Sequence, residues 1–409
     1  APSTLLLSMS KIVLFFDHTA KLGGGEIALL NLVRAIDRDR FVPVVVLGSD
    51  GLLRDRLLQA GIETHLLPLA SSVTETRKDT IGIHSLLRIA DIVRMLFYCV
   101  KLTAFIRRKR ASVVHTNSLK ADLIGGVASR LARVPVVWHI RDRIADDYLP
   151  PVAVRFFRLL CRIIPNAIIA NSHATLDSLS LAPRGSQNPP ASGPLIYRGS
   201  VIYDGINPSS YDTEESGSAA GYPRIGLIGR FAPWKGQHIF IRAADAVVKK
   251  YPQCRFQIIG AALFGEDEYD QQLRSLVRLF GLTNHVEFTG FRSDVAELMR
   301  QLDVVVHAST VGEPFGQVVI EAMASSKPVV ATRGGGIIEI MVDGVTGILV
   351  PMGDADAMAS AIVRMIENPE MAHEMGKAGK EWVKQFFTIE KTARQTEDVF
   401  TRMLARRPS

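Results

Sequence analysis

Short Val- and Ile-rich runs alternate with helix-length amphipathic segments along almost the whole sequence. KIVLFF (11–16), FVPVVVLG (41–48), ASVVHT (111–116), VPVVWHI (134–140) and NAIIANS (166–172) form one series. Runs this short and apolar at consecutive positions are buried on both faces, which is the pattern of parallel strands. Segments such as Glu26 to Ile36 and Lys120 to Ala132 have the length and periodicity of crossover helices. A second series begins at RIGLIGR (224–230) and continues through RFQIIGA (255–261), HVEFTG (285–290), DVVVHAS (303–309), PVVATR (328–333) and TGILVP (346–351). Two βαβ series predict an α/β chain with two doubly wound, Rossmann-like domains. A length of 409 residues, too great for one compact core, agrees with this.

The boundary is compositional. Residues 181 to 222 contain APRGSQNPPASGP and YDTEESGSAAGYP, which suit loops and a linker. The predicted domains are 9–205 and 206–385, with 386–409 a C-terminal helix crossing back to the first. Ligands of doubly wound sheets bind at the carboxyl ends of the strands, so two such domains predict a site in a cleft where they face each other.

Several classes are disfavoured. Cys99, Cys161 and Cys254 are scattered, which argues against a disulfide framework or a cysteine zinc site and for a reducing compartment. No 18-residue apolar run lacks charge, so no transmembrane helix is expected. The opening APSTLLLSMSK has no basic stretch and too short an apolar core for a secretory signal. Met9 is compatible with a natural start, residues 1–8 then being an addition.

The net charge of +7 is unevenly placed: between His84 and Asn166 there are 15 Lys and Arg against 5 Asp and Glu. Within that region SLLRIADIVRMLFYCVKLTAFIRRKR (85–110) and VRFFRLLCRII (154–164) interleave apolar and basic residues at helical spacing. Helices of this kind lie in membrane interfaces, each basic residue adding roughly 1 kcal/mol of attraction to anionic lipid. The competing reading is packing helices covered by the stems of long cationic side chains. Nucleic acid is disfavoured, because aromatic stacking platforms and a recognisable binding module are missing.

Four stretches at strand ends carry candidate chemistry. DHTAKLGGGEIALL (17–30) opens a helix with Gly23, Gly24 and Gly25, letting backbone and free N–H groups approach a phosphate. Five residues separate its first glycine from Asp17, so an anion-binding loop is expected there rather than a dinucleotide fingerprint. GRFAPWKG (229–236) places Arg230 and Lys235 in one loop, where a planar fork and a point charge can clamp a diphosphate. STVGEPFGQVVIEAM (309–323) sets Glu313 before a helix started by Phe315, Gly316 and Gln317, with Glu321 two turns down it. His139 ends a strand, as does His115, which Asn117 follows; His115 and Asn117 are candidates for acceptor contact, a structural role for the histidine being equally open. His307 reads as a core residue. The two D-x-D patterns, Asp37-x-Asp39 and Asp354-x-Asp356, fall away from strand ends, and no His/Cys/Asp cluster has metal-ligand spacing.

These stretches resemble the retaining GT-B glycosyltransferases of the family 4 type, the group 1 glycosyltransferases. Glu313 and Glu321 have that family's E-x7-E spacing, and Arg230 and Lys235 its R-x4-K pair. ATRGGGIIEIMVDGVTGILVPMGDADAMASAI (331–362) resembles its next signature. VIYDGIN (201–207) looks like its domain junction, with Asp204 and Asn207 departing from the usual residues, and VVWHIRD (136–142) resembles its first-domain histidine strand. The likeness covers nearly the whole chain and is closer in 224–385 than in 1–205.

The resemblance implies a hexosyltransferase that takes a UDP- or GDP-linked sugar and transfers it with retention to an acceptor glycan or glycolipid, with no cofactor and no metal required. It implies that Glu313 contacts the sugar hydroxyls and Glu321 the nucleotide ribose, while Arg230 and Lys235 neutralise the departing diphosphate. The N–H groups of Phe315, Gly316, Gln317 and Val318 would assist, and Gly24 or Gly25 would approach the phosphates from the other domain. His139 would lie beside the reacting sugar. With the basic helices this implies a cytoplasmic enzyme, peripheral at the inner face of the membrane, serving polysaccharide or lipopolysaccharide synthesis. Two rivals share the architecture: a nucleotide-sugar 2-epimerase, and a non-catalytic, membrane-associated nucleotide binder.

Overall fold

The computed structural model describes residues 10–69, 89–146, 149–181, 199–211, 221–263, 265–292 and 294–405, with residues 89–92 as backbone only. Residues 1–9, Arg88, and most of the stretch expected as a linker lie outside these. The chain divides into two units, one running to Gly205 and resuming at Ile389, the other spanning Ile206–Thr388.

The first unit holds seven strands: β1 (Lys11–Asp17), β2 (Phe41–Leu47), β3 (Glu63–Leu66), β4 (Val113–Thr116), β5 (Val136–Ile140), β6 (Ala167–Ala170) and β7 (Ser200–Val201). They form one sheet in the order β3-β2-β1-β4-β5-β6-β7, and every pair is parallel. β3 and β7 escape the apolar-run reading because they are the two edges of the sheet. An edge strand has one neighbour and less burial, so ETHL can be polar at three of its four positions and SV only two residues long.

Side chains of β1 alternate between two cores. Leu14 and Phe16 enter one, Val13 and Phe15 the other, and all four are wholly buried. The first core is closed by helices Ile89–Arg108, Leu119–Ala132 and Pro151–Ile163. The second is closed by Gly24–Ala35, Leu52–Gln59 and the C-terminal helix Ile389–Ala405. The last helix sets Phe400 against Phe15 and Phe41, with ring centroids 6.3 and 5.5 Å away. Its Glu397 accepts from the Asp37 backbone N–H at 2.8 Å and from Arg40 at 2.9 Å. Burying a ring such as that of Phe400 contributes about 2 to 3 kcal/mol, enough to hold the chain end in the first unit.

The second unit holds β8 (Arg224–Ile228), β9 (Arg255–Ile259), β10 (Val286–Gly290), β11 (Val304–His307), β12 (Val329–Thr332) and β13 (Ile348–Val350). Their order is β10-β9-β8-β11-β12-β13, again all parallel. In each unit the order reverses direction between two central strands, β1 and β4 in one and β8 and β11 in the other. Crossovers leave those strands toward opposite sides, which opens a crevice at their carboxyl ends. Every candidate motif lies at one of these two switch points or immediately beside it. The D-x-D patterns do not: Asp354 caps helix Ala355–Glu367 by accepting from Ala357 N–H at 2.8 Å, and Asp37 accepts from Asp39 N–H at 3.0 Å.

Candidate functional site

The loops after β8 and β11 are tied together at the second switch point, where Thr310 N–H donates to the Trp234 carbonyl at 2.8 Å. The turn Pro233–Lys235 ends at Gly236, whose φ is 72°. A Cβ there would sit 1.9 Å from the Ala308 carbonyl oxygen, so only glycine lets the two loops approach. Lys235 Nζ then reaches Glu313 Oε1 at 2.5 Å. The other carboxylate oxygen accepts from the Ser309 hydroxyl at 2.8 Å and meets His307 Nε2 at 3.0 Å. Burial alone would raise the Glu313 carboxyl, but the Lys235 charge and the His307 hydrogen bond overcome it and hold the group well below the usual range. Glu313 is therefore a buried, ionised carboxylate.

The glycine loop after β12 supports that residue from behind. Gly336 N–H donates to the Glu313 carbonyl at 2.8 Å. Gly335, at φ 59°, lies so close that a Cβ would meet the Glu313 carbonyl oxygen at 2.0 Å. Arg230 pairs with Glu266 at 2.9 Å, and the Arg230 and Lys235 cations flank the Trp234 ring at 5.7 and 4.5 Å.

Helix Gln317–Ala324 starts later than expected from the sequence. Gly316 caps it at φ 116°, where a Cβ would strike Ile337, and Phe315 is buried ahead of it against Phe387. Glu321 consequently sits one turn into the helix, not two. The N–H groups of Gln317 and Val318 belong to its first turn and have no carbonyl partner within it. Glu321 accepts from Gln317 Nε2 at 3.1 Å and from the Tyr211 hydroxyl, yet burial dominates and pushes its carboxyl up to about 7.

At the first switch point, helix Gly24–Ala35 begins beside β1, with the Glu26 carboxylate accepting from the Gly23 N–H at 2.9 Å. A Cβ on Gly24 would meet nothing within 4 Å. Asn117 is buried and its amide is engaged on both sides: Nδ2 donates to Asp17 at 2.6 Å and to the Gly25 carbonyl at 3.1 Å, while Oδ1 accepts from Arg141. Arg141 Nε donates to both Asp204 oxygens, at 3.0 and 3.3 Å, and Asn171 adds a bond to the same carboxylate at 3.3 Å. His139 is wholly buried, with Nδ1 3.1 Å from His115 Nε2 and Nε2 3.9 Å from Asp204. Burial and then the Arg141 charge hold both imidazoles well below their usual range, so both are neutral.

Acceptor contact from His115 and Asn117 does not fit this arrangement. His115 is sealed beside Phe15 and Phe400, at 4.9 and 5.8 Å between rings, and the Asn117 amide is saturated within its own unit. His307, read from the sequence as core, is indeed buried but touches Glu313. Tyr211, Arg141, Asn171 and Ser309 carried no spacing signal. The available clue was position at strand carboxyl ends, which Asn171, Arg141, Ser309 and His307 all share. Asp204 was visible only as a departure from the junction motif, and its partner Arg141 explains the acid there. Among the described residues no group of three or more His, Cys, Asp and Glu is placed to hold a metal.

Residues 211–382 match the model of "Glycosyl transferases group 1", and residues 23–180 match that of the "Glycosyl transferase 4-like domain". The phosphatidyl-myo-inositol mannosyltransferase of Mycobacterium leprae is 34% identical over 192 residues, which is 45% of this chain and 49% of that protein. A lipopolysaccharide core biosynthesis glycosyltransferase of Rhizobium meliloti is 29% identical over 197 residues, 48% of this chain and 54% of that one. The chain spans about half the length of the curated relatives it matches. Among solved structures, Anabaena HepE in complex with UDP and glucose superposes with a TM-score of 0.79 at 28% identity, covering 95% of this chain and 99% of that one. Sucrose-phosphate synthase of Thermosynechococcus elongatus, at 20% identity and a TM-score of 0.72, covers 97% of this chain and 100% of its own, and shares the fold.

Proposed function

We propose, from the premise that this chain belongs to the group 1 glycosyltransferases of the family 4 type and has their GT-B fold, that it moves a hexose from a UDP-linked donor to a hydroxyl of a lipid-linked or glycan acceptor. Transfer proceeds with retention and without a metal ion. The observation that carries this reading is the contact of Lys235 Nζ with the buried, ionised Glu313 carboxylate. It sets a fixed cation and a fixed acceptor side by side, as a reaction needs when it must hold sugar hydroxyls and release a dianionic leaving group.

Glu313 accepts hydroxyl protons of the sugar, and Glu321 accepts the ribose diol. Lys235 and Arg230 stabilise the charge that gathers on the diphosphate as its bond to the sugar breaks, work a divalent ion would otherwise do. The N–H groups of Gln317 and Val318 add to that field. The acceptor oxygen bonds to the anomeric carbon on the face the diphosphate leaves, and the acceptor's proton passes to the departing phosphate oxygen. Choice of UDP is supported by the bound UDP of HepE, the similar chain named above. A lipid-linked acceptor is supported by the names of the mannosyl- and lipopolysaccharide-synthesising relatives.

Peripheral membrane attachment at the cytoplasmic face is supported by the first unit's helices. Leu96, Phe97 and Val100 on one, and Val152, Phe156, Leu159 and Ile163 on another, are exposed. Part of the basic surplus is structural: Arg107 donates to the Leu131 carbonyl, Arg130 to those of Ile163 and Ile164, and Arg158 to those of Ser178 and Ile144. Arg155, Lys101 and Arg108 remain exposed among the apolar side chains. No helix of the described residues is long and apolar enough to cross a membrane.

A thermal-shift panel of UDP, GDP, ADP and their sugars tests the donor assignment; stabilisation by none of them overturns it. Incubation with UDP-GlcNAc alone, followed by NMR of the sugar, separates transfer or hydrolysis from 2-epimerisation. Tight binding without any turnover would favour a non-catalytic binder.

A further inference from the structure

We infer that His115 is a positioning residue that locks the tautomer of His139, so that His139 presents an Nε2–H donor beside the Asp204 carboxylate. This deepens the reading of the first unit's strand ends as part of the sugar site, and rests on it.

Both imidazoles are wholly buried and neutral, so the 3.1 Å contact between His115 Nε2 and His139 Nδ1 holds one proton and has two possible directions. The directions differ at the far ends of the pair. If His139 donated, the proton of His115 would have to sit on Nδ1. That atom is buried beside the Phe15 and Phe400 rings, with no hydrogen-bond partner among the described residues. The bare Nε2 lone pair of His139 would then face Asp204 Oδ1 at 3.9 Å, negative charge against a lone pair. If His115 donates, its Nδ1 is an unused acceptor and the unbonded N–H is instead that of His139 Nε2. Each direction thus leaves one buried N–H without a bond, and the choice falls to the Asp204 carboxylate, whose charge 3.9 Å away favours an N–H over a bare lone pair.

The selected N–H is left without a bond, because 3.9 Å is too long for one and it has no other partner among the described residues. Asp204 cannot move to meet it, being held by Arg141 Nε and by Asn171.

The test is a long-range proton–nitrogen correlation spectrum of protein labelled with nitrogen-15 at its ten histidines, with His139 assigned by the loss of its signals in His139→Asn. A neutral His139 protonated at Nε2 is expected. In His115→Phe, which keeps a ring but removes the donor, the other tautomer should appear and kcat/KM for transfer should fall about ten-fold, with UDP binding unchanged. His115→Gln, which restores an N–H, should recover most of that loss. A wild-type His139 protonated at Nδ1, or a His115→Phe protein with unchanged tautomer and unchanged kcat/KM, overturns the inference. If the wild-type protein shows no transfer at all, the glycosyltransfer reading fails, while the spectrum alone still decides the tautomer.

Discussion

Lys235 Nζ lies 2.5 Å from Glu313 Oε1, across a junction of two loops 78 residues apart in sequence. Neither partner is reachable by solvent over most of its side chain, at 18% and 11% exposure. Removing one charge from so buried a pair leaves the other without compensation.

Lys235→Ala should therefore lower stability by about 3 kcal/mol and turnover by at least about 100-fold. Glu313→Gln keeps a group that can bond Ser309 and His307, so it should retain UDP affinity within about three-fold while turnover falls by a similar 100-fold or more. Calorimetric titration with UDP and steady-state kinetics measure the two quantities. Equal and small effects on both would remove Glu313 from the reaction.

Glu321 makes the second unit's properties depend on pH near neutrality. Its carboxyl is raised to about 7 by burial, so the folded state holds a proton that the unfolded chain has already lost. The associated stability is fully present below about pH 4.5 and is lost as pH rises through 7, amounting to roughly 3 kcal/mol. Ribose binding needs the ionised acceptor, so UDP affinity should rise over the same interval. Denaturant titrations and UDP binding measured from pH 5.5 to 8.5 should show opposite slopes, and Glu321→Gln should flatten both.

Glycines at the two switch points differ in what an added methyl would do. Gly335→Ala drives a Cβ onto the Glu313 backbone at a left-handed φ and should destabilise the second unit by more than about 2 kcal/mol, with loss of turnover. Gly24→Ala meets no atom, so its melting temperature should not fall. If phosphate approaches that helix start, as the family resemblance implies, the same change should raise the donor KM. An unchanged KM would remove Gly24 from the donor site.

Vesicle co-sedimentation tests the membrane face. Binding to vesicles containing phosphatidylglycerol should exceed binding to phosphatidylcholine alone and should weaken with added salt. Phe97→Glu combined with Phe156→Glu replaces two exposed rings and should abolish it while leaving the fold intact, as both are more than half exposed. Equal binding to both vesicle types would assign these helices to another use.

The two sheets, the motif spacings and the resemblance they carry were legible in the sequence, because burial on both faces of a parallel sheet forces near-continuous apolar runs and crossovers force helices between them. Edge strands β3 and β7 were not, since an edge relaxes that demand. Of the site, Glu313, Glu321, Arg230 and Lys235 could be picked out by order along the chain. Their relations could not. His307 read as core and Tyr211 was not singled out at all, because the hydrogen bonds that matter join residues brought together by strand order, which local pattern does not encode. His115 and Asn117 show the same limit from the other side: sequence put them at a strand end, and only packing decided that one is sealed between aromatic rings and the other saturated by Asp17, Gly25 and Arg141. The sequence determined which charges sit at the strand ends. Tertiary structure decided their state, ionised for Glu313 beside Lys235 and half-protonated near neutrality for Glu321, because a carboxyl's proton affinity follows the charges and solvent around it and not its neighbours in the chain.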